Sequence, residues 1–169
     1  VQETIDQEPK SLAEMINVET QKRELLDKYI KTNMHEGIDF YTLKIGGKDS
    51  KPSLSKPGSE KFMSLFHWKA TFQMDTDTRE MLGNVPGMIC YLCHLVSRNG
   101  EIMGEGRGAR NTKLDNNDPN KTIKMAQKSA MIDAIMRTGA LSDAFTQDLE
   151  DMPPVTHSSA STTSFRTPP

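Results

Sequence analysis

Three lysines share one face of a helix predicted in the last third of the chain. Lys121, Lys124 and Lys128 are separated by three and four residues, and residues at these spacings lie on the same side of an α-helix. A row of ammonium groups on a rigid element can neutralise a line of phosphates. The spacing therefore predicts a surface for a polyanion rather than a catalytic pocket.

Further basic residues lie at the end of a predicted strand and in a lysine-rich loop. Arg107 and Arg110 stand beside glycines, which allow a ligand to approach the backbone closely, or they mark an ordinary exposed strand end. The loop over 46–56 and its borders hold lysines that could follow a polyanion or could keep the loop solvated: Lys44, Lys48, Lys51, Lys56 and Lys61. The residues alone leave both pairs of alternatives open.

The two cysteines, Cys90 and Cys93, stand three residues apart in a predicted strand, so their side chains point to opposite faces of a sheet. A zinc site built from these thiols and His94 would need further ligands, and the chain has no second pair of cysteines. We expect two buried structural thiols, which are typical of a reducing, cytosolic compartment.

Carboxylates offer a second route to a metal site. Glu101 and Glu105 share a strand face and could hold a divalent ion with Asp133 or His94, as in a metal-dependent nuclease. No tight carboxylate cluster is visible in the sequence, so this alternative is disfavoured.

The strand over 101–109 also carries three alternating glycines, which resemble a dinucleotide fingerprint only superficially. They follow a hairpin turn rather than the first βα turn of a nucleotide-binding fold, and the next helix comes too late. The glycines are Gly104, Gly106 and Gly108. We therefore expect no cofactor, no ATP hydrolysis and no enzymatic activity.

The elements that position these residues follow from hydrophobic periodicity and turn residues. The pattern predicts helices over 19–33 and 59–67, and strands over 40–45, 68–74, 88–97 and 101–109. Asn99-Gly100 predicts a tight hairpin between the last two strands. A long helix then runs from an N-cap at Asn120 to a stop at Gly139.

The long helix has two apolar faces. One is narrow enough to lie close against a sheet and consists of Ile123, Ala126, Ala130 and Ala134. The other lies on the far side and consists of Ile132, Ile135 and Met136. This second face needs a cover, either from a neighbouring subunit or from packing of residues 140–145. We expect the subunit contact, in a large head-to-tail oligomer.

Charge and composition divide the 169-residue chain into three parts. Residues 1–18 form an acidic arm, 19–150 a single core domain, and 151–169 a Ser/Thr/Pro-rich tail that should be disordered. The net charge is −4 over residues 1–19, +4 over 20–147 and −2 over 148–169. No stretch is long and apolar enough for a membrane span, and the acidic start is not that of a signal peptide. We expect a cytoplasmic protein.

These features together resemble the Rad-fifty-two superfamily of single-strand annealing proteins, and its short bacteriophage members most closely. The likeness covers about residues 20–150. It is carried by the Asn-Gly hairpin ending in G-x-G-x-G and by a helix reading K-x-A-x-K-x-A-x-x-D-A-x-x-R. A Pro-Gly-x-Glu-Lys segment at 57–61 and an S-D-x-F-T-Q-D segment at 142–148 add to it.

The resemblance implies an α+β fold with a β-β-β-α core, in which an antiparallel sheet packs on one long helix. It also implies rings or filaments that hold single-stranded DNA by its backbone and anneal complementary strands without ATP, in phage-type homologous recombination in a bacterial host. Arg137 falls where the family places a basic contact, whereas Met136 replaces a lysine that relatives often carry. A phage exonuclease and a host single-strand-binding protein are candidate partners. The alternatives are a DNA-binding protein that protects strands without annealing them, and the nuclease.

Overall fold

The computed structural model describes residues 11–45 and 47–147. Its helices in this part of the chain are α1 (Leu12–Asn33), α2 (Lys56–Phe66), α3 (Thr76–Met81) and α4 (Pro119–Thr138), with a 3-10 helix over Thr112–Asp115. Its strands are β1 (Phe40–Tyr41), β2 (Lys44–Ile45), β3 (Lys48–Asp49), β4 (Ser53–Leu54), β5 (Lys69–Met74), β6 (Met88–Val96) and β7 (Ile102–Asn111). The predicted disordered tail over 151–169 and the first ten residues of the acidic arm lie outside the described residues.

The main sheet is antiparallel and has the order β5-β6-β7, and it is followed in the chain by the long helix α4. This confirms the predicted α+β class. Along β6, Tyr91, Cys93 and Leu95 lie opposite Gly108, Gly106 and Gly104 of β7. Both cysteines are free and buried, as predicted.

Helix α4 lies very close to the sheet because β7 has no side chains where the two meet. A Cβ atom added to Gly106 would come within 3 Å of backbone atoms of Ala130 and Ala134, and one added to Gly108 would meet backbone atoms of Ala126 and Ala130. The alternating glycines of the strand therefore match the alanines at every fourth position of the helix. The close approach that these glycines permit is to α4, not to a ligand.

The far side of α4 is covered within the protomer, so the prediction that it lacks a cover was wrong. Ile132 and Ile135 are fully buried and Met136 is 7% exposed. They share one core with Phe62 of α2 and with Leu141 and Phe145, which follow α4. The alternative cover, packing of residues 140–145, is the one observed.

Several predicted boundaries shift for local reasons. Ser11 caps α1 by accepting a hydrogen bond from the Glu14 N–H, so the helix begins at Leu12 and the expected arm and the first helix are continuous. The strand predicted over 40–45 is divided between two small ladders, β1 with β4 and β2 with β3. Helix α4 is capped by Asp118 rather than Asn120, and Gly139 ends it as predicted.

Candidate polyanion-binding surface

The three lysines of α4 lie on the side of the helix that faces away from the sheet. At about 100° per residue they are roughly opposite Ala126 and Ala130, which contact β7. Lys121 and Lys124 are exposed and Lys128 is half-buried. Farther along the same side of the helix, the lysines give way to buried Ile132 and Ile135. The cationic face therefore occupies the first half of α4 and ends where the second core layer begins.

The lysines of the loop belong to that same layer. The backbone N–H of Thr146 donates to the Pro52 carbonyl at 2.7 Å, and the Gln147 side chain donates to the Ser129 carbonyl of α4 at 2.9 Å. These bonds tie the loop region that contains β2, β3 and β4 to the middle of α4. Pro52, which follows the β2–β3 hairpin, is thus held through residues 146–147 near Ser129 of α4.

The loop lysines differ in what they contact. Lys51 donates to the Ser142 carbonyl, and Lys56 lies 3.5 Å from Glu60 on an exposed surface. Lys61 contacts the buried Asp39 at 2.6 Å and donates to the Asn33 carbonyl at 2.7 Å, so it holds α2 to the end of α1. Lys44 and Lys48 are exposed, and neither makes an ion pair with a carboxylate of the described residues. The hairpin thus presents two available cations.

Arg110 and Lys121 converge on one buried carboxylate. Arg110 donates to both oxygens of Asp115, at 3.1 and 3.0 Å, and Lys121 lies 3.6 Å away. Thr122 donates its hydroxyl to the same carboxylate at 3.1 Å. The two hydrogen bonds from Arg110 hold the pKa of Asp115 below its usual range, against the opposing effect of burial. This cluster joins the end of β7 to the start of α4.

Arg107 and Arg137 lie at the sheet side and the β7 edge, away from the lysine face. The Arg107 guanidinium is 3.3 Å from Asp75, and its backbone N–H donates to Asp133 at 2.9 Å. Asp133 also accepts from the Arg137 side chain at 2.7 Å. Arg137 is about half a turn of helix away from the lysines. The predicted basic residues therefore do not form one continuous surface.

The two metal sites considered from the sequence are not assembled. His94 is 3.8 Å from Glu105 on the outer face of the sheet, whereas Asp133 lies on α4 and bonds to Arg107. Within 11–45 and 47–147, no group of three or more His, Cys, Asp or Glu residues is placed to hold a metal ion. No helix in this part of the chain is long and apolar enough to cross a membrane.

Sequence reasoning missed the acidic partners of the arginines. One partnership had a detectable signal, because Asp133 and Arg137 stand four residues apart on a helix. The Arg107–Asp75 pair joins separate elements and depends on the tertiary fold. Tyr41, an aromatic side chain on which a base could stack, is 47% exposed beside the lysine-bearing hairpin.

Comparisons with protein-family models, with curated proteins and with solved structures find no match for this chain. The likeness to the annealing superfamily therefore rests on the sequence motifs and stays a prediction.

Proposed function

We propose that this protein binds single-stranded DNA through its phosphates and anneals complementary strands without ATP, in phage-type homologous recombination. The observation that carries the proposal is the lysine face of α4, on which Lys121 and Lys124 are exposed and Lys128 is half-buried. It stands on a helix whose opposite side is locked onto the sheet by the glycine–alanine contact. In this proposal the exposed lysines of the β2–β3 hairpin, Lys44 and Lys48, supply further phosphate contacts.

Phosphate contacts suit annealing because they carry no sequence information. A strand held by its backbone can present its bases to any complementary partner, and the protein needs no base-specific groups. The surface offers little base stacking, because Tyr41 is the one exposed aromatic side chain in the described part of residues 40–54. Binding should therefore be strongly salt-dependent and nearly independent of sequence.

The basic residues divide into two groups in this proposal. Lys44, Lys48 and Lys124 are exposed, make no ion pair with a carboxylate of the described residues, and hold phosphates. The half-buried Lys128 adds a phosphate contact on the same face of α4. Six further predicted contacts pair with named groups of the protein and would add to binding only by sharing or exchanging them: Lys51, Lys56, Lys121, Arg107, Arg110 and Arg137. Arg137 keeps its assignment from the family resemblance alone.

The ring or filament remains a prediction. The far side of α4 no longer supports it, and the free edges of the sheet are now the observation in its favour. The covered far side of α4 no longer requires a neighbour. Among the described residues, β5 and β7 each pair only with β6, which leaves two sheet edges. The β7 edge is occupied at Arg107, whose N–H donates to Asp133. In this proposal head-to-tail assembly uses the β5 edge, where Met74 is 54% exposed.

The test is annealing of complementary oligonucleotides by the purified protein, with and without Mg²⁺ and ATP. We expect accelerated pairing that needs neither. The double variant Lys124→Ala/Lys128→Ala should lose most of this acceleration. Its matched control, Lys28→Ala/Lys69→Ala, removes two charges from exposed sites on α1 and β5 and should keep it. Binding without faster pairing would indicate a protective DNA-binding protein, and Mg²⁺-dependent strand loss would indicate a nuclease; either result contradicts the proposal.

A further inference from the structure

The first half of α1 has apolar side chains that nothing in the described part of the chain covers. Leu12 is 71% exposed and Met15 51% exposed. In the second half of the same helix, Leu26 and Tyr29 are half-buried and pack against the core. The apolar stripe of α1 is therefore longer than the body of the protein that it packs on.

An apolar groove continues the stripe along the body. It encloses about 670 Å³ and is lined on one side by α1, including Leu26 and Tyr29, and on the other by Leu65, Phe66 and Trp68. The Phe66 and Trp68 rings stack with centroids 4.5 Å apart, which makes a firm apolar wall. Arg23 fixes α1 over this groove by donating to the Ala140 carbonyl at 2.8 Å.

The exposed stripe has the spacing of a coiled-coil seam. Its members follow one another at intervals of three and four residues: Leu12, Met15, Glu19, Lys22, Leu26 and Tyr29. The two ends of the stripe are apolar, and its centre holds one acidic and one basic residue. The Glu19 and Lys22 side chains lie 3.8 Å apart on the same helix and are 73% and 69% exposed, so a partner can reach both and would have to share or exchange this ion pair.

We propose that α1 pairs antiparallel with α1 of a second copy of this chain, about a two-fold axis that passes between Thr20 and Gln21. In this register Leu12 lies opposite Tyr29 of the second copy, and Met15 lies opposite Leu26. Glu19 lies opposite Lys22, twice over by symmetry. Every apolar position meets an apolar one and each charge meets its opposite.

This self-complementarity is the reason for assigning a second copy as the occupant. A two-fold contact requires the same surface to match itself when reversed, and the stripe meets that condition at all six positions. The paired segment is only about 27 Å long at 1.5 Å per residue, and helices this short are marginal alone. The walls of the groove, Phe66 and Trp68, therefore add the burial that the helix pair lacks. This contact does not depend on the DNA-binding proposal.

The experiment is sedimentation equilibrium of the full chain across a hundredfold range of protein concentration. We expect the average mass of the unaltered protein to rise with concentration, with the dimer as the smallest associated species. Glu19→Lys and Lys22→Glu, made separately, should each weaken dimerisation roughly tenfold, because two attractive contacts become repulsive. An equimolar mixture of the two variants should regain the original affinity as a heterodimer. A change confined to one folded chain cannot produce that recovery.

Apolar contacts are tested by Leu12→Ser/Met15→Ser, which should abolish the dimer. Met81→Ser is the control, because Met81 is 88% exposed on α3, outside the stripe. Far-UV circular dichroism checks that each variant is folded. The proposal is overturned by a monomeric unaltered protein, or by a mixture of charge variants no more dimeric than its components. If the unaltered protein is monomeric and Leu12→Ser/Met15→Ser lowers its stability, a segment of the same chain covers the stripe, and the proposal is likewise overturned.

Discussion

The capacity of a basic residue to bind phosphate depends on what its charge already contacts. Arg110 donates hydrogen bonds to both carboxylate oxygens of the buried Asp115. Lys124, in contrast, is exposed and makes no ion pair with a carboxylate of the described residues. A phosphate approaching Arg110 would have to compete with a partner that is held in place by the fold. A phosphate approaching Lys124 displaces only water and small ions.

The lysine face can be tested through salt dependence. Lys124→Ala/Lys128→Ala should lower the slope of log affinity against log salt by about 1.4 for single strands, at about 0.7 per lost phosphate contact. The loss should be the same for oligonucleotides of different sequence, because phosphates are alike. Fluorescence anisotropy titrations at several salt concentrations measure it. An unchanged slope would show that this face does not contact DNA.

Arg137→Ala separates the family resemblance from the geometry. Arg137 lies on the other side of α4 from the lysines and bonds to Asp133. We expect a much smaller change in slope than for Lys124→Ala. A slope change as large as that of Lys124 would place DNA at the β7 edge, as the resemblance implies.

Asp115 links a pKa to the stability of the fold. Hydrogen bonds from Arg110 lower the pKa of Asp115 in the folded protein below its ordinary value of 3.8. A lowered folded pKa means that the carboxylate stabilises the protein above about pH 4, and that this contribution is lost as the pH falls through the folded pKa. Asp115→Asn should therefore lower the Tm at pH 7, and the Tm difference should shrink progressively below pH 4.

Asp77→Asn is the control for that measurement, because it removes an exposed carboxylate from the first turn of α3. It should change the Tm little at any pH. Scanning calorimetry from pH 7 to pH 2.5 gives both curves. A difference for Asp115→Asn that persists undiminished at the acid end would contradict the assigned pKa.

Among the elements, the contact between β7 and α4 depends on glycine more strongly at Gly106 than at Gly104. A Cβ at Gly106 would meet backbone atoms of Ala130 and Ala134, which cannot move unless the whole helix moves. A Cβ at Gly104 would meet the side chain of Thr138 instead. The Thr138 hydroxyl is buried and lacks a hydrogen-bond partner among the described residues, so its removal costs little.

These contacts predict a double-mutant cycle. Gly106→Ala should lower the free energy of unfolding by about 1–3 kcal/mol or more through overpacking. Gly104→Ala should cost less, and Thr138→Ala should restore most of its loss because it vacates the space that the new methyl group needs. Urea unfolding of the two single variants and the double variant measures the coupling. If the losses of the two single variants simply add in the double variant, the new methyl group is accommodated by movement of β7 away from α4 and not by the space that Thr138 leaves.

How far the sequence could predict these elements depends on whether the signal is local. The alanine stripe of α4, the glycine stop at Gly139 and the lysine spacing are all local patterns, and each was recognised. The sequence did not reveal that residues 40–45 divide between two small ladders, because β1 and β2 pair with different later strands. The Arg107–Asp75 pair was missed for the same reason, since the two residues meet only in the folded chain.

At the scale of the whole molecule, α4 lies between two layers. The sheet covers one side, and α2 with the segment after α4 covers the other, where Phe62 and Phe145 pack edge to face with centroids 6.0 Å apart. The sequence pattern showed that α4 has two apolar sides but not what covers the second. Leu141 and Phe145 are the two large apolar residues of a short segment, and their burial depends on Leu54 and Phe62 from distant parts of the chain.

A core position and a subunit interface respond differently to truncation, and this difference tests the two-layer arrangement. Ile135→Ala should lower the free energy of unfolding by about 2–5 kcal/mol, because a fully buried side chain leaves a cavity. Leu114→Ala, at a site that is 62% exposed, should change it by about 0.5 kcal/mol or less. Measured at two low protein concentrations, the loss for Ile135→Ala should be the same, because the cavity lies within one protomer. A loss that grows with protein concentration would instead place Ile135 in a contact between subunits, as the sequence first indicated.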